Sequence, residues 1–513
     1  MVGKKINPWV VVLVVMLPSC LELLDTGILN VVLPNIAASY GVTTQNSTWT
    51  LTAYLVASAI VLPISGWFSE IFGRKNYFFA NIIIFGIGTV GCFFAPNFLI
   101  FLLCRIIQGF SGAGLLPPAQ AIIYEAFEGN EKLKSIGQAV FAMGLITAPA
   151  LGPMLGGYIA SNYQWHDIYI IYFPIIIVGA ILVYFFLQDN RESAIKSGKK
   201  IPIDYIGLAL LIIGLGTLQI FLSNGQEDNW FQSTEIRVLC VTSIVSLIAL
   251  VWWELKCPKP LLKLSIFKIR NVMPSVIVIF VAGLLIYGVN LIIPQYLQSI
   301  LGFSAQDAGT VLSEAGLFSI FSMPFVAFGV IRFGFKKTMI FGIVLAGISV
   351  FMMTKFSPTM SASTAFDARV ILSMGFGFIM MPCNMAAMAF ITVKEDYDNV
   401  SGMLNLSRSM GGSLGIAIIE TVIARMAQKH QFYLTEHINP FNPNFQQLLH
   451  GLQAKGLTYV QSMDVISKLI LQQAYALAYA NGFQWCFIMT VVLIPIVFFL
   501  VKDKKGGKIS LGE

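Results

Sequence analysis

Long apolar runs separated by short polar stretches recur along the whole of this 513-residue chain. They fall at roughly 9–33, 48–69, 77–95, 98–123, 136–160, 167–187, 204–223, 236–254, 272–295, 308–331, 338–356, 365–391, 401–424 and 482–501. A membrane-spanning helix needs about 20 consecutive, mostly apolar residues, so the pattern predicts about fourteen such helices, numbered here 1–14 in chain order. In lipid each segment must satisfy its own backbone N–H and C=O groups, which runs of this length do as helices. Only 11% of the residues are charged, against about 25% in soluble domains. A water-soluble enzyme is excluded, and the expected fold class is an all-α integral membrane protein.

The net charge of +7 sits in small clusters between the runs, not in a stripe that would bind nucleic acid. Twenty-three Lys and Arg, from Lys4 and Lys5 through Arg74 and Lys75 to Lys508, fall on one side of the predicted membrane. The other side holds six: Arg237, Lys355, Arg425, Lys429, Lys455 and Lys468. The positive-inside rule places the first set, with both termini, in the cytoplasm. The first run passes Glu22 and Asp25 to Pro34 without a small-residue cleavage site, so it reads as a retained helix and not as a signal peptide. The seven cysteines are scattered and the four histidines (His166, His430, His437, His450) lie outside the runs, so no disulfide framework and no metal site is expected. There is no GxxxxGK[ST] phosphate loop, HExxH, GxSxG or paired CxxC, so ATP hydrolysis, protease and redox chemistry are not expected and no cofactor is called for.

An internal repeat sets the domain organisation. Asn30-Val31-Val32-Leu33-Pro34 recurs as Asn290-Leu291-Ile292-Ile293-Pro294. Pro63 and Gly73 recur as Pro324 and Gly334, and Arg105 and Pro118 as Arg369 and Pro382. The offsets are nearly equal and keep one order, so helices 1, 2 and 4 pair with 9, 10 and 12. The expected units are a six-helix bundle over 1–190, an inserted helix pair with linkers over 191–270, and a second six-helix bundle over 271–513. The last includes a long outside segment, 426–481, with a turn-rich Asn439-Pro440-Phe441-Asn442-Pro443-Asn444 followed by amphipathic, helical stretches. Parallel repeated halves are typical of alternating-access carriers, whose substrate sits between the halves near the midplane.

Charges inside the runs are informative because each costs about 2.5–3.5 kcal/mol or more at the bilayer centre. Glu22 and Asp25 lie three apart on helix 1, on one face. Asp25 precedes Pro34 by nine residues and Arg105 follows Asn97 by eight, which puts both roughly 12–13 Å below the outer surface at about 1.5 Å per residue. Asp25 and Arg105 are therefore expected to meet, either as a static pair joining helices 1 and 4 or as an acid whose proton affinity the arginine switches. Glu22 joins them as a proton-coupling candidate. Glu314, Arg408 and Glu420, with Asn30, are candidates for the substrate pathway. Arg369, near a helix end, reads as a snorkelling side chain. Gly152-Pro153-Met154-Leu155-Gly156-Gly157 on helix 5 and Gly411-Gly412-Ser413-Leu414-Gly415 on helix 13 permit close helix approach, either as simple packing or as surfaces that rock.

Several segments resemble the major facilitator superfamily. Gly66-Trp67-Phe68-Ser69-Glu70-Ile71-Phe72-Gly73-Arg74-Lys75 is similar to its cytoplasmic GxLaDrxGrK loop, with Glu70 where Asp is usual. Arg105-Ile106-Ile107-Gln108-Gly109 resembles its RxxQG, and Gly152-Pro153 through Gly156-Gly157 resembles the GPxxGG antiporter motif of exporters. More narrowly, Leu24-Asp25-Thr26-Gly27-Ile28-Leu29-Asn30-Val31-Val32-Leu33-Pro34 and Asn405-Leu406-Ser407-Arg408-Ser409-Met410-Gly411-Gly412-Ser413 resemble fourteen-helix drug:proton antiporters of the EmrB/QacA type. Gly27, Tyr172, Glu22 and Glu314 depart from that pattern. The resemblance implies a major facilitator fold of two six-helix bundles plus two inserted helices. It also implies proton-coupled export of hydrophobic drugs across the bacterial inner membrane. The partners it implies are an EmrA-type periplasmic adaptor and a TolC-type outer-membrane channel. Export of one specific metabolite, peptide or siderophore, or a non-transporting receptor or scaffold, are the alternatives.

Overall fold

The computed structural model describes residues 7–127, 129, 131–188, 204–258, 260–391, 396–436 and 438–500. Its spanning helices are α1 (Pro8–Tyr40), α2 (Trp49–Phe72), α3 (Arg74–Phe93), α4 (Phe98–Ala113, continued after a short break as Leu116–Ala126), α5 (Glu131–Asn162), α6 (Ile168–Phe186), α7 (Tyr205–Asn224), α8 (Thr234–Lys256) and α9 (Val272–Ser299). One long helical stretch, Ala305–Met353, follows, and Gly334 interrupts it with non-helical backbone. It divides there into α10 (305–333) and α11 (335–353). The remainder are α12 (Ala362–Met388), α13 (Asp396–Thr435) and α14 (Tyr459–Phe498). Among the described residues thirteen continuous helices are long and apolar enough to span a bilayer, and the division at Gly334 makes fourteen spans. We call the membrane face from which α1 starts the terminal face, and the opposite one the far face.

The internal repeat appears in the backbone. Gly73 closes α2 at φ +82° and Gly334 closes α10 at φ +80°, a conformation costly for any residue with a Cβ. The two glycines make the same reversal, at the terminal face, in each half of the chain. Pro63 and Pro324 lie inside α2 and α10 one decade of residues earlier.

Burial follows the repeat. One apolar core joins α1, α3, α4, α5 and α6 through side chains such as Val32, Phe78, Phe101, Phe141 and Tyr169. A second joins α9 to α14 through Val278, Ile343, Leu372, Val400 and Phe483. The pair α7–α8 belongs to neither. Leu211, Leu215 and Leu250 pack instead against Ala59 and Ile64 of α2 and Met410 of α13.

The structure extends the two flanking helices well beyond their apolar runs. Helix α13 runs to Thr435 and α14 begins at Tyr459, each 40 residues long. At about 1.5 Å per residue each measures about 60 Å, roughly twice the ~30 Å hydrocarbon core. Most of 426–481 is therefore helix continuing out of the membrane on the far face. Hydropathy marks where lipid ends, not where a helix does, and no proline interrupts 424–435 or 459–481. The expected amphipathic helix is Pro443–Ala454, capped by the Asn442 side chain on the Asn444 amide, and none of its residues is buried.

Candidate functional site

Asp25 of α1 and Arg105 of α4 form the ion pair that their depths predict. Arg105 Nη1 donates to Asp25 Oδ2 at 2.7 Å, and neither side chain is exposed. The RxxQG segment explains itself residue by residue. The same Nη1 reaches Gln108 Oε1 at 2.8 Å, and Gln108 Nε2 donates to Thr89 Oγ1 at 3.0 Å, so Gln108 ties the arginine to α3. Gly109 is required because a Cβ there would stand 2.4 Å from the Tyr54 carbonyl oxygen. That contact brings the Tyr54 ring beneath the Arg105 guanidinium, 4.6 Å from its centroid. Removing one partner of a buried pair costs about 3–5 kcal/mol because the other charge is left uncompensated.

Glu22 stands one helical turn away, 6% exposed, and its Oε1 accepts from the Tyr54 hydroxyl at 3.1 Å. A Cβ on Gly112 would meet Glu22 Cγ and the Tyr54 hydroxyl, each at 2.8 Å, so that glycine makes room for both. Tyr54 thus links the two acids: its ring carries Arg105 and its hydroxyl holds Glu22. The sequence does not reveal this role, since nothing distinguishes Tyr54 among 17 tyrosines. Tyr169 and Tyr172 of α6, both fully buried, adjoin the Asp25–Arg105 pair. From the other half, Arg408 of α13 and Tyr287 of α9 lie within electrostatic reach of Glu22. Asp25 Oδ1, Arg105 Nη2 and Glu22 Oε2 have no hydrogen-bond partner among the described residues. Two of these are carboxylate oxygens able to accept a proton or a donor, and the third is a guanidinium nitrogen able only to donate.

At the terminal face residues of the α2–α3 loop make a latch between the halves. Gly73 turns the chain so that Arg74 opens α3 inward. Arg74 Nε donates to Asp398 Oδ2 of α13 at 2.8 Å, and the guanidinium also pairs with Glu125 at the end of α4. Beside it the Tyr124 and Tyr397 rings stack, centroids 5.1 Å apart, and Ser401 Oγ donates to Gln120 Oε1 at 2.5 Å. A Cβ on Gly66 would lie 2.5 Å from Asn399 Oδ1. Glu70 is exposed and outside this contact. The sequence singled out Arg74 but not Asp398, whose pairing depends on the far end of the chain.

The glycines of α5 serve two neighbours. Cβ atoms on Gly152 and Gly156 would stand 2.7 Å from the Gly27 backbone and 2.9 Å from the Ile28 carbonyl of α1. This crossing also accounts for Gly27, where a Cβ would lie 2.9 Å from the Pro149 oxygen. Gly157 is buried. Across the halves the Pro153 carbonyl oxygen would meet a Gly309 Cβ of α10 at 2.6 Å. Glu314 and Glu420 do not join the central cluster. Glu314 is exposed on the α10 face that carries Phe321, Phe325 and Phe328. Glu420 is half-buried beside Glu227, in the turn after α7. The side chain of Asn30 lies outside the described residues. Arg369 keeps its Nε buried without a hydrogen-bond partner among them.

Repeated helical halves, a latch between their ends and a buried charge cluster at their junction define a polytopic membrane transporter. The chain belongs to the Major Facilitator Superfamily, whose profile it matches over residues 15–416. It is 31% identical over 485 residues to the multidrug export protein EmrB of Escherichia coli, which covers 94% of this chain and 93% of that one. It is 30% identical to the fatty acid resistance protein FarB of Neisseria gonorrhoeae, over 93% of each chain. Among solved structures, the human organic anion transporter MFSD10 shares its fold with a TM-score of 0.60 at 15% identity, covering 94% of this chain and 99% of that one.

Proposed function

We propose that this chain exports hydrophobic toxic compounds across the bacterial inner membrane in exchange for protons, with both termini in the cytoplasm. The observation that carries the reading is the fully buried Asp25–Arg105 pair, beside Glu22 at the junction of the halves. In this reading Asp25 takes a proton from outside, and Arg105 stabilises the carboxylate once the proton has left to the cytoplasm. One proton moving through about 150 mV gains roughly 3.5 kcal/mol, at about 2.3 kcal/mol per 100 mV. That sustains a cargo gradient of roughly 300-fold. Similarity to EmrB supports a multidrug range. Similarity to FarB favours a second reading, export of hydrophobic acids. The helices that project from the far face, with the exposed Pro443–Ala454 helix between them, suit docking of an EmrA-type adaptor leading to a TolC-type channel. The test is Asp25→Asn in proteoliposomes: the reading expects cargo binding to persist while uphill, proton-driven export is lost. Undiminished uphill export by that variant would sink it.

A further inference from the structure

Both acids of the central cluster face an arginine, but the two arginines differ in where they are anchored. Asp25 and Arg105 sit on α1 and α4 of the same half, cross-braced by Gln108 and Tyr54. Rigid-body rocking of one half against the other leaves such a pair unchanged. Glu22 is fixed to the same half, by the Tyr54 hydroxyl and by its seat against Gly112. Arg408 is fixed to the other: its carbonyl oxygen would stand 2.4 Å from a Cβ on Gly283 of α9, so α9 and α13 cross in backbone contact there. The neighbouring Gly412 seats the Tyr287 ring, 2.6 Å from where its Cβ would be.

Every group that faces Glu22 can be assigned to a half. Asp25 and Cys20 come from α1, Tyr54 from α2, and Arg105 from α4 by way of the Tyr54 ring. The Tyr172 of α6 adjoins Asp25, and α5 contributes Gly144 against Met16 and Cys20. From the other half come Tyr287 and Arg408. Arg408 is thus a charged group of the other half that acts electrostatically on Glu22 across the junction. It does so without a direct ion pair, and Glu22 Oε2 remains unpartnered.

We infer that Glu22 and Arg408 are the conformation-sensing pair of this carrier: a carboxylate on one half whose counter-charge rides on the other, so that rocking decides whether Glu22 holds a proton. This rests on the proton-coupled reading above and gives Glu22 a positioning role separate from that of Asp25. The latch shows how the motion reaches it. Asp398 and Arg408 share α13 and lie ten residues, about 15 Å, apart. Releasing Asp398 from Arg74 lets α13 swing away from the first half and carries Arg408 from Glu22. An opposite charge nearby favours the ionised carboxylate, so protonation of Glu22 favours the form with the terminal face open.

The experiment measures the equilibrium itself, not transport, so its failure and that of the export reading are distinguishable. Full-length protein in nanodiscs carries spin labels at Asn76 and Lys268, exposed on the terminal face of the two halves. Their distance distribution is recorded from about pH 5 to about pH 9. The terminal-face-open fraction of the unsubstituted protein should rise as pH falls, with a slope of up to about tenfold in the equilibrium constant per pH unit for one linked proton. Glu22→Gln and Arg408→Met should each lower the slope of the curve, and Arg408→Lys should keep its slope with a displaced midpoint. A wild-type slope in Glu22→Gln, or a flat curve in the unsubstituted protein, overturns the inference. Glu22→Asp, which keeps the charge on a shorter stem, provides a second variant and should shift the midpoint without flattening.

Discussion

Asp398→Asn separates the latch from everything else Arg74 does. Asp398 belongs to α13, while Glu125, the second carboxylate on Arg74, belongs to the same half as the arginine. The substitution leaves the Arg74–Glu125 pair intact and removes the charge that crosses between halves. Both side chains of the lost pair are buried, so little of its strength is screened by solvent. A hydrogen bond to a charged group contributes about 1.5–3 kcal/mol, and each ~1.4 kcal/mol is tenfold in a population. The ratio of terminal-face-open to latched molecules should therefore rise about 10- to 100-fold. Because each half keeps its own apolar core, the thermal midpoint should move by only a few degrees. Double electron–electron resonance between labels at Asn76 and Lys268 reads the ratio directly, as a longer distance component. An unchanged distance distribution would refute the argument, because it would mean that the Tyr124–Tyr397 stack and the Gly66–Asn399 contact hold the face shut unaided.

Three further substitutions and one segment replacement test other contacts. Gly156→Leu drives a side chain into the Ile28 carbonyl, 2.9 Å from the Cβ position, and should impair export in a well-expressed protein without altering any charge; normal transport would show the glycine to be packing filler. Gly334→Ala places a Cβ at φ +80° and should cost about 1–2 kcal/mol, read as a lower unfolding midpoint, with Gly73→Ala expected to match it if the two reversals are equivalent. Replacing 439–458 with a Gly/Ser linker spares α13 and α14 and should leave cargo-driven proton release in liposomes intact while removing cellular resistance; lost release in liposomes would instead make the segment part of the gate.

Depth along the membrane normal was legible, because on a straight helix it is linear in residue number. That is why counting from Pro34 and Asn97 sufficed to bring Asp25 and Arg105 together. The repeat was legible for a related reason: Gly73 and Gly334 must both be glycine to adopt their φ. Rotation about each helix axis was not legible, since packing on several neighbours decides it. Glu314 and Glu22 look alike as intramembrane acids, yet one faces outward beside phenylalanines and the other inward to Tyr54. Partners from distant parts of the chain escaped for the same reason, Asp398 for Arg74 and Arg408 for Glu22. The ends of α13 and α14 were misplaced because apolar runs report solvent boundaries while helices continue on amphipathic sequence.

The inserted pair α7–α8 is fastened unequally to the two halves it touches. Toward α13 it is bonded: Gln219 Nε2 donates to Ser413 Oγ at 2.7 Å, and Trp230 Nε1 to Thr421 Oγ1 at 2.9 Å. Toward α2 it offers aliphatic side chains to Ala59 and Ile64, and Gly216 lies 3.9 Å from Val56 at its Cβ position. Hydrogen bonds resist shear, whereas aliphatic surfaces have no register to lose. The pair is therefore pinned on one side and greased on the other. A rocking of one half against the other is expected to carry the pair with the second half and to slide it over α2.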